Sequence, residues 1–153
     1  GDAMPECSGT FGINMDYRGI FLNMSFYYQF GGQTYNQTLV DRVENANVGL
    51  NVDKRIYNAV WKKPGDRVDF SYNPYRLTKP SSRFVQDLNE LRLSSLNVGY
   101  DFRHCAFLKK SRLQQLKASF YMDDVFRAST VKTERGLTYP FARTFSFSLQ
   151  ATF

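Results

Sequence analysis

Two cysteines and one histidine are all that the 153 residues offer as soft metal ligands. Cys7 and Cys105 are too few for a disulfide framework. With His104 they form no ligand cluster, since a structural zinc takes four ligands at short spacings. No metal or cofactor site is expected on this account. The chain also has no run near the roughly eighteen apolar residues that a membrane-crossing helix requires. A mean hydropathy of −0.44 carries little weight against membrane strands, where each apolar side chain is diluted by a polar neighbour. Twenty Lys and Arg against fourteen Asp and Glu give a net charge of +6. They are scattered, densest at Lys62-Lys63 and from Lys109 to Arg112, with no recognition motif beside them, which reads as solvated surface and not as a nucleic-acid stripe. The opening Gly1-Asp2-Ala3-Met4-Pro5 has no initiator methionine and no basic, apolar leader, so a piece of something longer is expected.

Aromatic residues are plentiful, with 14 Phe and 10 Tyr beside a single Trp. The last eleven residues show how they are used. Thr144, Ser146, Ser148, Gln150 and Thr152 alternate with Phe145, Phe147, Leu149, Ala151 and Phe153. An unbroken period of two is a β-strand with one wet and one apolar face. Such a strand suits an outer-membrane barrel, apolar side to lipid and polar side to an aqueous lumen. It suits equally the last strand of a soluble barrel with its phenylalanines turned inward.

Taken in order, Ser8 to Tyr17 alternates, with Phe11, Ile13, Met15 and Tyr17 on one face. Asp16-Tyr17-Arg18-Gly19 then predicts a tight reversal. The apolar row resumes at Ile20, Leu22, Met24, Phe26, Tyr28 and Phe30. This second strand is longer than the five or so residues usual in soluble sheets and matches the roughly nine to eleven that cross a bilayer at a tilt. Gly31-Gly32 is expected to end it, with Tyr28, Phe30 and Tyr35 as an interface girdle. From Asn36 to about Ser82 the alternation disappears. Leu39, Val40 and Val43, and then Val52, Ile56, Ala59 and Val60 after Asp53 as a cap, predict two short helices. A connection this long is expected to have a job of its own.

A third strand is predicted from Leu88 to Phe102. Its apolar parity changes between Leu91, Leu93 and Leu96, Val98, so one extra residue near Ser94-Ser95, a β-bulge, is expected to keep the apolar face continuous. A basic connection follows, then a fourth strand from Leu113 to Phe126, a polar loop from Ala128 to Ala142, and the terminal strand. The expected fold is all-β: an antiparallel up-and-down meander of about five long strands, part of a larger transmembrane barrel, with the two helices in one long outer loop at 36–82. Short links on the periplasmic side and long ones outside would put Cys7 and Cys105 at opposite ends, beyond the ~7 Å that a disulfide spans.

Several blocks resemble the C-terminal part of SusC/RagA-like TonB-dependent outer-membrane transporters of Bacteroidetes. They are Met4-Pro5, Tyr17-Arg18-Gly19-Ile20, Phe30-Gly31-Gly32-Gln33-Thr34-Tyr35-Asn36, Trp61-Lys62-Lys63-Pro64-Gly65-Asp66, and Ser82-Arg83-Phe84-Val85-Gln86-Asp87. Leu91-Arg92-Leu93, Leu96, Gly99-Tyr100, Tyr139-Pro140 and Arg143-Thr144-Phe145 continue the order to Phe153. The resemblance implies part of a barrel of about 22 strands that imports glycan or peptide fragments with energy relayed by TonB, beneath a SusD-like surface lipoprotein. It implies that the strand carrying Phe145, Phe147, Leu149, Ala151 and Phe153 is read by the outer-membrane assembly machinery. No plug segment is recognisable in these residues, and Asp123-Asp124-Val125-Phe126 departs from the Asn-Leu-Phe run usual in the fourth strand.

Three functions compete. As transporter wall, the chain would present Asn14, Asp16, Asn23, Ser25, Gln29, Ser119, Tyr121, Asp123, Ser146, Ser148 and Gln150 to the lumen. Tyr57, Trp61, Tyr72 and Tyr75 in the long loop would be contacts for ligand or partner, because aromatic faces stack on sugars and anchor interfaces; for Trp61 the expectation is that it packs the loop's own small core. A soluble lipocalin-like carrier of an apolar ligand would turn the same faces inside out. An enzyme would need Asp123 and Asp124 to flank one bond, which neighbours on a strand, pointing to opposite faces, do not do.

Overall fold

The computed structural model describes residues 1–47, 49–71, 78–105, 108, 113–132 and 142–153. Five strands are present: β1 Cys7–Tyr17, β2 Ile20–Tyr35, β3 Val85–Asp101, β4 Gln115–Ser129 and β5 Phe145–Thr152. They form one sheet in the order β1-β2-β3-β4-β5. Neighbours in sequence are thus neighbours in space, and the registered pairs are antiparallel, which is the expected meander. The polar loop foreseen after Ala128 begins later than that, because β4 runs on to Ser129, and its residues 133–141 lie outside the described residues.

The β1–β2 reversal is a two-residue turn closed by the Tyr17↔Ile20 pair. Arg18 and Gly19 both take positive φ, 50° and 90°, the primed geometry whose twist suits a hairpin. Glycine is required at the second position. A Cβ there would lie 2.6 Å from the Asp101 carbonyl oxygen, and Asp101 N–H donates to the Gly19 carbonyl at 2.7 Å.

β2 does not stop at Gly31-Gly32. Gly31 adopts φ 80°, a local bend that lets pairing resume to Tyr35, beyond the end expected from the glycine pair. Tyr35 consequently leaves the girdle and packs edge-on against Phe84, ring centroids 6.0 Å apart.

The parity change in β3 falls where expected, but the count is reversed. Leu93↔Phe126 and Ser95↔Asp123 bracket one residue of β3 and two of β4, so the surplus residue belongs to β4, where Asp124 adopts φ 48°. The apolar face still runs through. Arg92 lies over the Tyr27 ring and Gly99 abuts Phe21, and Tyr27 and Phe21 share the polar row of β2. Leu91 and Leu93 therefore stand on the same side as Leu96, Val98 and Tyr100.

The chain divides into two compact units. The first contains the long loop and has a core of Leu39, Val40, Val43, Val60 and Phe84, with Tyr35, Ile56 and Phe70 against it. Its first helical segment is α1 (Gln37–Leu39), which widens into a π-type turn over Val40–Glu44. Asn36 starts it, its side-chain oxygen accepting from Leu39 N–H at 3.2 Å. The second, α2 (Ile56–Ala59), is a single turn. Asp53 is not its cap: the N-cap is Arg55, with no side-chain cap bond, and the Asp53 carboxylate instead accepts from Arg55 N–H at 2.8 Å in the turn ahead of the helix and pairs with the Arg55 guanidinium. Val60 is not helical but extended, bridged to Phe70.

The second unit is the sheet itself, residues 6–30, 89–129 and 142–153. Nearly every residue of β1 and all eight of β5 are exposed. Cys7 and Cys105 are both free; Cys7 pairs with Phe30 at one end of β1, and Cys105 follows Asp101 at the other end of the sheet.

Candidate functional site

The candidate site begins with the two faces of the sheet. Directly opposed residues in antiparallel strands point the same way, so the register assembles the rows. On one face stand Phe11↔Phe26, Ile13↔Met24 and Met15↔Leu22, then Val98↔Phe120↔Phe147, Leu96↔Met122↔Phe145 and Tyr100↔Ala118↔Leu149. Phe11 and Phe26 stack at 4.8 Å, and Phe120 stacks on Phe145 at 6.1 Å. Phe147 nevertheless keeps 72% of its surface exposed. These rows are not folded into a private core, and among the described residues β1 and β5 are the edge strands of the sheet. An apolar-ligand barrel needs both closure and an inward apolar face.

The other face is polar across the sheet. Asn14↔Asn23, Gly12↔Ser25 and Ser8↔Gln29 line β1 and β2, and Asp16 opposes Phe21. Asn97↔Tyr121↔Ser146, Gly99↔Ser119↔Ser148 and Lys117↔Gln150 continue it. Ser119 and Ser148 hydroxyls lie 3.4 Å apart, and the Tyr121 hydroxyl donates to the Asp123 carboxylate at 2.5 Å. The register thus joins all eleven polar residues singled out in the sequence on one surface.

Phe21 is an addition to that face that alternation does not foresee. It is an aromatic at a polar parity, and the sequence signal that it has a partner is Gly99. A Cβ on Gly99 would fall 2.3 Å from the Phe21 ring, so the missing side chain makes the seat for the aromatic. Lys117 Nζ covers the ring from 4.2 Å, a cation–π contact. Asp101 completes this corner, accepting from Gln115 Nε2 at 3.1 Å and pairing with Arg103 at 2.8 Å.

The loop unit supplies the second set of candidates. Its buried Glu44 is fully engaged: Arg83 pairs with it, Thr78 Oγ1 donates at 3.1 Å and Ser71 N–H at 3.3 Å. Arg83 also lies over Phe84 at 4.9 Å. A buried carboxylate is tolerated when its oxygens are satisfied in this way. On the outside of this unit Tyr57 is 71% exposed and Trp61 48%. Trp61 does not pack the loop core. Its backbone N–H bonds to the Phe70 carbonyl at 2.9 Å, and in this extended stretch Val60 turns inward and Trp61 outward. Tyr57 borders a cleft of about 510 Å³ lined by Lys54, Asn58, Arg67 and Asp69, and Lys62 Nζ sits 5.8 Å above its ring. Tyr72 and Tyr75 lie outside the described residues. Among the described residues no group of three or more His, Cys, Asp or Glu is placed to hold a metal ion, and no helix is long and apolar enough to cross a membrane.

Comparison with known proteins agrees with this geometry. No protein-family profile matches the chain. TonB-dependent receptor P3 of Formosa agariphila is 26% identical across the whole of this chain, which spans 17% of that receptor. The solved RagAB peptide transporter superposes with a TM-score of 0.72 at 17% identity, covering 99% of this chain and 17% of that one. The RagAB peptide importer in its open-open state gives a TM-score of 0.70 at the same identity and coverage. The two relatives named are transport proteins and receptors, not enzymes. Sequence likeness over the whole chain and fold likeness to part of a TonB-dependent barrel together support a fragment of a TonB-dependent transporter of the outer membrane.

Proposed function

We propose that this chain forms wall and outer loop of an active importer for peptide or glycan fragments, energised through TonB in the whole protein. One observation carries the reading: a largely polar face backed by exposed apolar rows, on a sheet whose β1 and β5 are edge strands among the described residues. Such a sheet is incomplete in water. Further strands at β1 and β5 satisfy the edges, and acyl chains cover the apolar rows. RagAB is a peptide importer; peptide is therefore the first substrate to try, and oligosaccharide the second.

Residues 36–82 are the extracellular loop in this proposal, with Tyr57 and Trp61 as contacts for the substrate or for a SusD-like lipoprotein above the barrel. β5, with Phe145, Phe147, Leu149, Ala151 and Phe153, is the strand that the assembly machinery recognises. Separated from the rest of its barrel, the chain associates with copies of itself through bare edges and apolar rows.

The test is uptake by cells whose sole importer is the full-length protein, given labelled peptide and labelled oligosaccharide pools in turn. Accumulation of one pool that stops when TonB is removed is the expected result. Accumulation of neither, or uptake indifferent to TonB, would refute the assignment.

A further inference from the structure

On the polar face, Arg92 of β3 stands directly opposite Arg127 of β4. Like charges in such a cross-strand pair repel, because their Cβ atoms lie only about 4.5–5.5 Å apart. Among the described residues Glu90 is the carboxylate that answers them: its Oε2 lies 2.7 Å from Arg127 Nη2, and it is buried. Arg92 has no ion-pair partner among the described residues; its guanidinium lies over the Tyr27 ring at 5.3 Å. The Nε atoms of both arginines are buried and without a hydrogen-bond partner. Two guanidiniums and one carboxylate leave a positive charge and two unused donors on one spot of the wall. A guanidinium whose donors are removed from water and left unpaired costs stability, so this arrangement needs a reason other than folding.

We infer that Arg92 and Arg127, seated on Tyr27 and Glu90, form a binding site for a carboxylate carried by the substrate. The inference rests on the reading of the polar face as the side that substrate passes. The chemistry follows from the parts. The Arg92 guanidinium lies over the Tyr27 ring, and the Tyr27 hydroxyl is itself fixed by donation to Gln29 Oε1 at 2.7 Å. A guanidinium fork donates to both oxygens of a carboxylate at once. Glu90 sets the strength: it neutralises one of the two charges, so that an arriving anion is held but also released.

The experiment is titration calorimetry of the purified full-length transporter in detergent with tetraglutamate, and with N-acetylated, C-terminally amidated tetraglutamine as the control without a carboxylate. Binding of tetraglutamate that weakens at least about tenfold in Arg92→Gln is expected from the loss of one charge-assisted pair, with tetraglutamine unaffected. Glu90→Gln tests the same site from the other direction, and it is expected to tighten tetraglutamate binding, whereas a merely structural Glu90 predicts weakening or no change. Equal tetraglutamate affinity in Arg92→Gln and the native protein, or no tightening in Glu90→Gln, overturns the site. Because binding is measured without energised uptake, failure of the TonB-dependence test leaves this result independent.

Discussion

Phe84 and Phe147 are the same residue with opposite fates: the first is wholly sealed, while the second keeps 72% of its surface exposed. The loop unit around Phe84 buries apolar side chains against itself and satisfies its buried charges with its own groups. The sheet around Phe147 also pairs its buried Glu90 and Asp101 with its own groups, but it leaves its apolar rows exposed. It has one face of exposed aromatic and aliphatic rows and one face made mostly of hydroxyls, amides and charged groups. A domain gains its stability from layers that cover each other; here the loop follows that rule and the sheet relies on surroundings. The lesson is that intrinsic and environmental stability coexist in one short chain and are separable by experiment.

The sharpest way to break this contrast is to take the 153 residues alone into water. Sedimentation is expected to show large assemblies that disperse in detergent, and a monodisperse monomer in plain buffer would mean the sheet has a cover of its own. Next in size is Phe84→Ala in the full-length protein, expected to cost the loop about 3–5 kcal/mol. Limited proteolysis should then cut within residues 36–84 while the strands stay intact; loss of the strands as well would show that the two regions are not independent. Phe147→Arg should cost about 2–4 kcal/mol when the barrel is folded into vesicles, as a charge on the lipid side does near the midplane. No penalty there would place Phe147 away from lipid. Trp61→Ala should change stability by no more than about 1 kcal/mol, since the residue lies outside the loop core and keeps 48% of its surface exposed, and should weaken retention of the proposed surface partner in pull-down.

Much of the sheet is legible in the sequence because a period of two is visible in any strand with unlike faces. The rows Phe11 to Tyr17 and Phe145 to Leu149 need no structure to be read. Where sequence and structure part, the difference lies in backbone angles that side-chain pattern does not encode. Glycine usually punctuates, so Gly31 reads as an end, yet at φ 80° it only bends the strand. The bulge is visible from β3 alone, but nothing in that strand tells which partner holds the surplus residue; Asp124 at φ 48° does. Helical spacing carried through Val60 overruns the helix, because the chain is already extended there. The Arg92–Arg127 pair is hidden for a different reason: residues distant in the chain become neighbours only through register.

The hydrogen bond from Asn36 N–H to the Phe84 carbonyl, at 2.8 Å, brings together the two points where the long excursion leaves and rejoins its strands. An insert whose entry and exit meet is a cassette. Its contents can be exchanged or enlarged without shifting either strand by a residue.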